Sequence, residues 1–213
     1  VHRGALGDFL QAWPALCSLA KSLPDARLFW AGRADRHIWT APLGYQTCPP
    51  GLRQAAQSIP SSQTWPERLE NSAVIWFGLQ KPPTKLGFSR LLFLPGIRPA
   101  EYTPPRELYS KGLEQAGIAP FKDWLDHWRS LFSHPSPCSR SPRVLLFPGA
   151  GHPLRCWPLE KYTELAKWLA QQGLNPCFVL GPAEMERNIE VKNFEHCCLW
   201  DLEALQTVLL QAC

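Results

Sequence analysis

The sequence lacks the long apolar runs and the closely spaced cysteines that would indicate a membrane-spanning or a zinc-binding protein. It has no run of about 18 apolar residues, so it predicts no membrane-spanning helix. No basic segment followed by an apolar one opens the chain, so it predicts no signal peptide. The eight cysteines are scattered, with one adjacent pair, Cys197 and Cys198, and no CxxC spacing. We therefore expect no metal site and a reduced, cytoplasmic setting.

The chain also lacks the two commonest nucleotide-binding motifs, the GxxxxGK[ST] of a P-loop and the GxGxxG of a dinucleotide fold. Residues 144–162, VLLFPGAGHPLRCWPLEKY, nevertheless have the pattern of a buried strand, a glycine-rich loop and a helix. At the carboxyl end of a parallel strand such a loop presents backbone N–H groups to phosphate, and Gly149 and Gly151 permit close approach. The alternative is that this stretch serves only packing and turn formation, which is common in α/β proteins.

The composition is that of a soluble globular protein that can bury a core, with 45% hydrophobic and 19% charged residues among 213. The charge is uneven, because residues 1–141 contain 16 Lys and Arg against 10 Asp and Glu, whereas residues 142–213 contain 6 against 8. The basic first part could face an acidic partner such as a phosphorylated lipid, a membrane surface or nucleic acid. It could equally be a solvated basic surface, and no RNP-type or zinc-finger pattern favours nucleic acid.

The opening VHRGALGDFLQAWPALCSLAKSLPDARLFW has a similar order of loop, helix and strand, and we expect the strand before this loop to be mostly missing. Gly4 and Gly7 lie in the loop before Asp8, which we expect to be the N-cap or a first-turn acid of the helix. Pro14 should bend or restart that helix. Residues 26–31 should form the next strand. The residues expected to face inward are Leu10, Trp13, Leu16, Cys17 and Ala20.

Further along, the pattern predicts two α/β domains, residues 1–135 and 143–213, joined by a Pro/Ser-rich linker at 136–142. In the first domain we expect strands at 73–77 and 91–94, helices at 35–40, 106–116 and 122–132, and otherwise loops over 32–63. In the second domain we expect strands at 143–147, 176–180 and 196–199, and helices at 159–172, from 183 and from 201.

Three segments carry a more specific signal. Residues 3–16, RGALGDFLQAWPAL, contain Leu-Gly-Asp followed by Pro-Ala-Leu. Residues 148–158, PGAGHPLRCWP, contain Pro-Gly-Ala and then a basic residue two before Trp-Pro. Residues 180–188, LGPAEMERN, place Gly-Pro-Ala before an acid. In this order, with a linker between the first two, the segments resemble glycosyltransferase family 9, the ADP-heptose:lipopolysaccharide heptosyltransferases. Residues 35–140 resemble that family only loosely.

The resemblance implies an α/β, GT-B-like fold, with two Rossmann-like domains facing a cleft, the first binding the acceptor and the second the nucleotide sugar. It implies an inverting transfer without a metal, in which one carboxylate removes the proton from the acceptor hydroxyl. The family also has an Asp-x-Gly-x-x-His segment that should follow Cys213, so we expect the second domain to be incomplete and the chain truncated.

By motif position, Asp8 resembles the catalytic base, although a helix cap is the alternative, and Gly7 beside it is expected to contact substrate. Arg155 stands where the family usually has lysine and would neutralise the diphosphate of the donor. Glu184 would contact the donor nucleoside, with helix capping as its alternative. The backbone amides expected to bind the same phosphates belong to Gly149, Ala150 and Gly151.

The resemblance thus implies transfer of heptose from ADP-heptose to an acidic lipopolysaccharide core acceptor, without a further cofactor or nucleic acid. The protein would be cytoplasmic, with a peripheral contact on the inner face of the inner membrane. Two alternatives stay open. One is a GT-B transferase with another donor, such as a UDP-sugar, and the other is a non-catalytic binding protein that has lost the donor half.

Overall fold

In the computed structural model, contacts divide the chain into two compact units, Val1–Phe132 and Ser133–Cys213. The structure describes residues 1–2, 6–78, 84–85, 87–97, 102–132, 143–150, 154, 156–210 and 212. The predicted linker at 136–142 lies outside these residues. Within them, no helix is long and apolar enough to cross a membrane.

The first unit alternates helices with short parallel strands, as an α/β unit should. Its strands are β1 (Phe29–Trp30), β2 (Gln46–Thr47), β3 (Val74–Gly78) and β4 (Leu91–Pro95). Its helices are α1 (Leu6–Ser22), α2 (His37–Thr40), α3 (Pro50–Ser58), α4 (Pro105–Gln115) and α5 (Trp124–Phe132), with short 3-10 turns at Ala34–Arg36, Ala41–Leu43, Ile59–Ser61 and Glu67–Leu69. Strand β1 pairs with β2, and β3 pairs with β4.

The first two residues extend the sheet beside β3. The Val1 amino group donates to the carbonyl of Ile75 at 2.6 Å, and the Phe77 N–H donates to the carbonyl of Val1 at 2.9 Å. His2 bridges Phe77 in the parallel sense. The chain therefore passes from the carboxyl end of a strand segment into α1, which is where α/β proteins place their ligands.

Helix α1 is buried almost all round from Ala12 to Leu19, and it departs from the sequence-based expectations at Pro14, where no restart occurs, and at Leu10. The helix is continuous through Pro14 and does not restart there, and the Ser18 hydroxyl donates to the Pro14 carbonyl at 2.8 Å. Leu10 is 39% exposed, whereas Phe9 is fully buried. Burial of nearly every side chain from Ala12 to Leu19 offsets the roughly 3 kcal/mol that an interior proline costs a helix.

Aromatic rings hold α1 against α5. The Trp13 and Trp128 ring centroids are 4.5 Å apart in an edge-to-face arrangement, and Trp128 lies 4.7 Å from Phe132. Trp128, expected in the core, is half-buried and packs against the buried Trp13. Leu125, expected on the same side, is 43% exposed.

One helix was not expected at all. Helix α3 begins at Pro50, in a stretch whose prolines indicated loops. Proline is favoured at the first helical position, where its missing N–H would have no partner in any case. Ala55 and Ala56 of this helix are buried in a cluster with Ile59 and Trp76, so tertiary packing stabilises a segment of weak periodicity.

The second unit contains a three-stranded parallel sheet in the part that the structure describes, in the order β5 (Arg143–Leu146), β6 (Asn175–Leu180) and β7 (Glu195–Cys198). Its helices are α6 (Leu159–Gln171), α7 (Pro182–Glu186) and α8 (Leu202–Leu210). Helix α6 packs Ala166 and Leu169 against the sheet. These strands and helices lie within one residue of the positions that the sequence predicted.

Local chemistry explains two boundaries in this unit. Gly173 has a φ of +78°, the left-handed conformation that glycine adopts without strain after a helix. At the start of α8, the Ala204 N–H donates to Asp201 Oδ1 at 2.8 Å, so Asp201 is the N-cap.

Candidate functional site

Asp8 lies in the first turn of α1, and the strand segment before this helix bridges β3 at His2. Asp8 is partly buried. A carboxylate at this position is favoured by the unpaired N–H groups and the dipole of the helix N-terminus. Of its two expected positions, N-cap or first-turn acid, the structure shows the second.

His2 is a buried neighbour of Asp8 that the sequence alone did not single out. Its ring lies 6.4 Å from the ring of Trp30, in a stacked arrangement, and 6.1 Å from that of Phe9. Burial is the main cause that lowers the pKa of His2 to about 4, while the charge of Asp8 and a backbone hydrogen bond to Asp8 act in the opposite direction. The imidazole is therefore neutral at neutral pH.

Tyr109 of α4 is the second neighbour of Asp8. It is 2% exposed, and burial followed by the charge of Asp8 raises the pKa of Tyr109 to about 12. Its hydroxyl packs so closely on the chain after β4 that a Cβ at Gly96 would lie 2.5 Å from it. The Gly96 N–H donates to the Gly78 carbonyl at 2.7 Å, so the backbone just after β4 is bonded to the end of β3 next to the Tyr109 hydroxyl.

In the second unit the structure brings Gly149 and Glu184 together. Glu184 is 8% exposed, and its Oε2 accepts a hydrogen bond from the Gly181 N–H at 2.8 Å. A Cβ at Gly149 would lie 2.8 Å from Glu184 Cγ and would overlap the carboxylate itself. Glycine at 149 therefore lets the loop after β5 pack directly on the acid at the start of α7. The capping alternative for Glu184 is realised in this geometry.

Arg187, just after α7, also contacts this loop. Its Nη1 donates to the carbonyl of Ala150 at 3.3 Å and lies 3.6 Å from Cys156 Sγ. Arg187 stands three residues after Glu184, a spacing that places both on neighbouring positions of a helical turn. That spacing was the only signal in the sequence that could have singled it out.

Of the remaining predicted site residues, the structure describes Gly7 but not Gly151 or Arg155. Gly7 lies in the first turn of α1, is exposed, and has open space where a Cβ would be. Among the described residues, no group of three His, Cys, Asp or Glu side chains could hold a metal ion.

Two comparisons with known proteins bear on this geometry. The family model for "Glycosyltransferase family 9 (heptosyltransferase)" matches residues 108–210. The matched part is a little under half of the chain and contains the second and third of the three motifs. The resemblance first carried by the three motifs is thus confirmed. No curated protein matches the sequence.

Solved structures agree with this assignment at the level of the fold. The glycosyl transferase family 9 protein of Veillonella parvula DSM 2008 is 16% identical, with a TM-score of 0.62 over 99% of this chain and 72% of that chain. The E. coli heptosyltransferase WaaC, solved with ADP, is 18% identical, with a TM-score of 0.63 over 100% of this chain and 79% of that one. The predicted GT-B-like α/β class is confirmed.

Proposed function

We propose that this glycosyltransferase transfers heptose from ADP-heptose to a lipopolysaccharide core acceptor, with inversion at the anomeric carbon. The observation that carries the proposal is the position of Asp8, partly buried in the first turn of α1 at the carboxyl end of a parallel strand segment. The family description and the ADP bound by a protein of the same fold support the choice of donor.

Asp8 acts as the general base of this reaction. Its carboxylate takes the proton of the acceptor hydroxyl while the hydroxyl oxygen forms a bond to the anomeric carbon. The bond from that carbon to the diphosphate oxygen breaks, and its electron pair leaves with ADP. The neighbouring His2 is neutral at neutral pH, so it places no cation beside the Asp8 carboxylate.

The donor is bound by the second unit in this proposal. The amides of Gly149, Ala150 and Gly151 and the guanidinium of Arg155 bind the diphosphate, and Glu184 contacts the nucleoside. The close packing of Gly149 on Glu184 supports the assignment of these two residues to one binding surface. No metal is required, because cations of the protein neutralise the leaving group.

The acceptor is an acidic glycolipid, which the basic first part of the chain would attract. Exposed cations of the first unit include Lys21, Arg27, Arg90, Arg106 and Lys122. An acceptor in the inner membrane would place the protein on its cytoplasmic face as a peripheral protein, held by charge.

Asp8→Asn tests the base directly. Because the amide cannot take the proton, we expect transfer to fall by about 100-fold or more, within the 10²–10⁴ range of general base catalysis. ADP affinity, measured by calorimetry, should be unchanged, since the donor contacts belong to the second unit. Asp25→Asn, in the exposed turn after α1, is the matched control. An Asp8→Asn protein with full transfer activity would remove the assignment.

The donor contacts need a separate test. Arg155→Ala should weaken the binding of ADP more than that of adenosine, because only ADP carries the diphosphate. Equal losses for the two ligands would contradict a phosphate contact. Calorimetry with ADP and UDP identifies the nucleotide, and the absence of affinity for either would favour a non-catalytic binding protein.

A further inference from the structure

The contact between Arg187 and the glycine-rich loop joins two segments that lie 37 residues apart in the sequence. Arg187 Nη1 donates to the Ala150 carbonyl at 3.3 Å and lies 3.6 Å from Cys156 Sγ, so one nitrogen contacts two residues of the glycine-rich stretch. Two other exposed cations of this unit, Lys161 and Lys192, instead pair with acids close to them in the sequence. Lys161 pairs with Glu164 at 2.8 Å, and Lys192 with Glu190 at 3.8 Å.

The loop needs such a cation if it is to bind an anion. Glu184 packs its carboxylate directly on Gly149 and so places a buried acid under the loop. The Ala150 carbonyl adds the negative end of a peptide dipole. Both would repel a phosphate, and the Arg187 guanidinium offsets both, because it is positively charged and engages that carbonyl. A guanidinium has five N–H groups, so donation from Nη1 to the loop does not exhaust its donors.

We propose that Arg187 is a second cationic residue for the diphosphate of the donor, one that holds the loop at Ala150 and supplies positive charge beside it. This inference rests on the proposed donor chemistry and assigns Arg187 a role in it alongside Arg155. Arginine suits the position better than lysine, because its planar group can engage a carbonyl and a phosphate oxygen at the same time.

The test compares ADP with adenosine by calorimetry on three variants of the full chain. Arg187→Ala should weaken ADP binding by about tenfold or more, the loss of one charge-assisted hydrogen bond, and leave adenosine binding within about twofold. Arg187→Lys should recover part of the ADP affinity, because it keeps the charge. Lys192→Ala, which removes an exposed cation of the same unit, is the control and should bind both ligands as the wild type does.

Alkylation of Cys156 by iodoacetamide, followed peptide by peptide by mass spectrometry, gives an independent measure of the loop. In the wild type, ADP should slow the reaction of Cys156, and Arg187→Ala should reduce that protection at a fixed ADP concentration. Cys198, which is exposed, serves as the internal reference thiol.

The possible outcomes separate this inference from the proposed function. Wild-type ADP affinity together with an unchanged Arg187→Ala variant would overturn only the role of Arg187. Equal losses of ADP and adenosine affinity in Arg187→Ala would also overturn it, because they would show a general effect on the fold of this unit. A wild-type chain without affinity for ADP would overturn both proposals.

Discussion

Replacing Gly149 by alanine is the sharpest test of how the second unit is built. The added methyl group would lie 2.8 Å from Glu184 Cγ and would overlap the Glu184 carboxylate. The Glu184 side chain is 8% exposed and its Oε2 is held by the Gly181 N–H, so it cannot move aside without losing that bond. The backbone of Gly149 is outside the left-handed region, so packing rather than backbone strain decides the cost.

Two limits set the size of the effect. If the carboxylate stays, overpacking costs about 1–3 kcal/mol. If it moves, the protein loses a charge-assisted hydrogen bond worth about 1.5–3 kcal/mol. We therefore expect Gly149→Ala to lower the free energy of unfolding of this unit by about 2 kcal/mol. In a Glu184→Ala background the overlap is gone, and the same substitution should cost close to nothing.

Urea unfolding of the wild type, both single variants and the double variant gives the coupling energy of this pair. Hydrogen exchange in peptides that cover β6 (Asn175–Leu180) assigns the loss to the second unit. A Gly149→Ala cost that is the same in both backgrounds would refute the argument, because the penalty would then not arise from Glu184.

Three further predictions follow from other parts of the structure. The pKa of His2 falls from 6.5 in the unfolded chain to about 4 in the folded one, so protonation favours the unfolded chain. The free energy of unfolding should therefore fall as the pH drops from 6.5 to 4, and the loss should be about 2 kcal/mol at pH 5. His2→Gln should remove that part of the slope in urea unfolding measured from pH 7 to 5. Asp201→Ala should cost about 1 kcal/mol in the same assay and Asp201→Asn much less, because only alanine cannot accept from Ala204. EDTA should leave transfer unchanged, and a loss restored by Mg²⁺ would contradict the metal-free mechanism.

The order of strands and helices could largely be predicted from the sequence. Strands β3, β4 and β6 are short apolar runs between turn residues, and α4 and α6 show helical spacing of apolar residues. Helix α3 could not be predicted, because Pro50 has the same appearance in a loop as at the first position of a helix. The prediction that Leu10 of α1 faces inward was wrong, because a helix buried on nearly all sides has no single apolar stripe to detect.

The candidate site was predicted in part. The motifs led to Asp8, Gly149 and Glu184, and the structure shows that the last two are packed together. They did not lead to His2 or Arg187. Each of these acts through a contact with a residue or backbone group whose position depends on the fold, and neither belongs to a pattern of residue types.

By itself the sequence indicated the resemblance to glycosyltransferase family 9, and it determined the alternation of strand and helix and the local chemistry at helix boundaries such as Gly173 and Asp201. Those features depend on residue types a few positions apart, where backbone geometry is local. Only the tertiary structure decided that Arg187 holds the loop at Ala150 and that a buried, neutral His2 lies beside Asp8. The Arg187 contact forms because the fold brings together segments 37 residues apart, and burial beside Phe9 and Trp30 keeps His2 neutral.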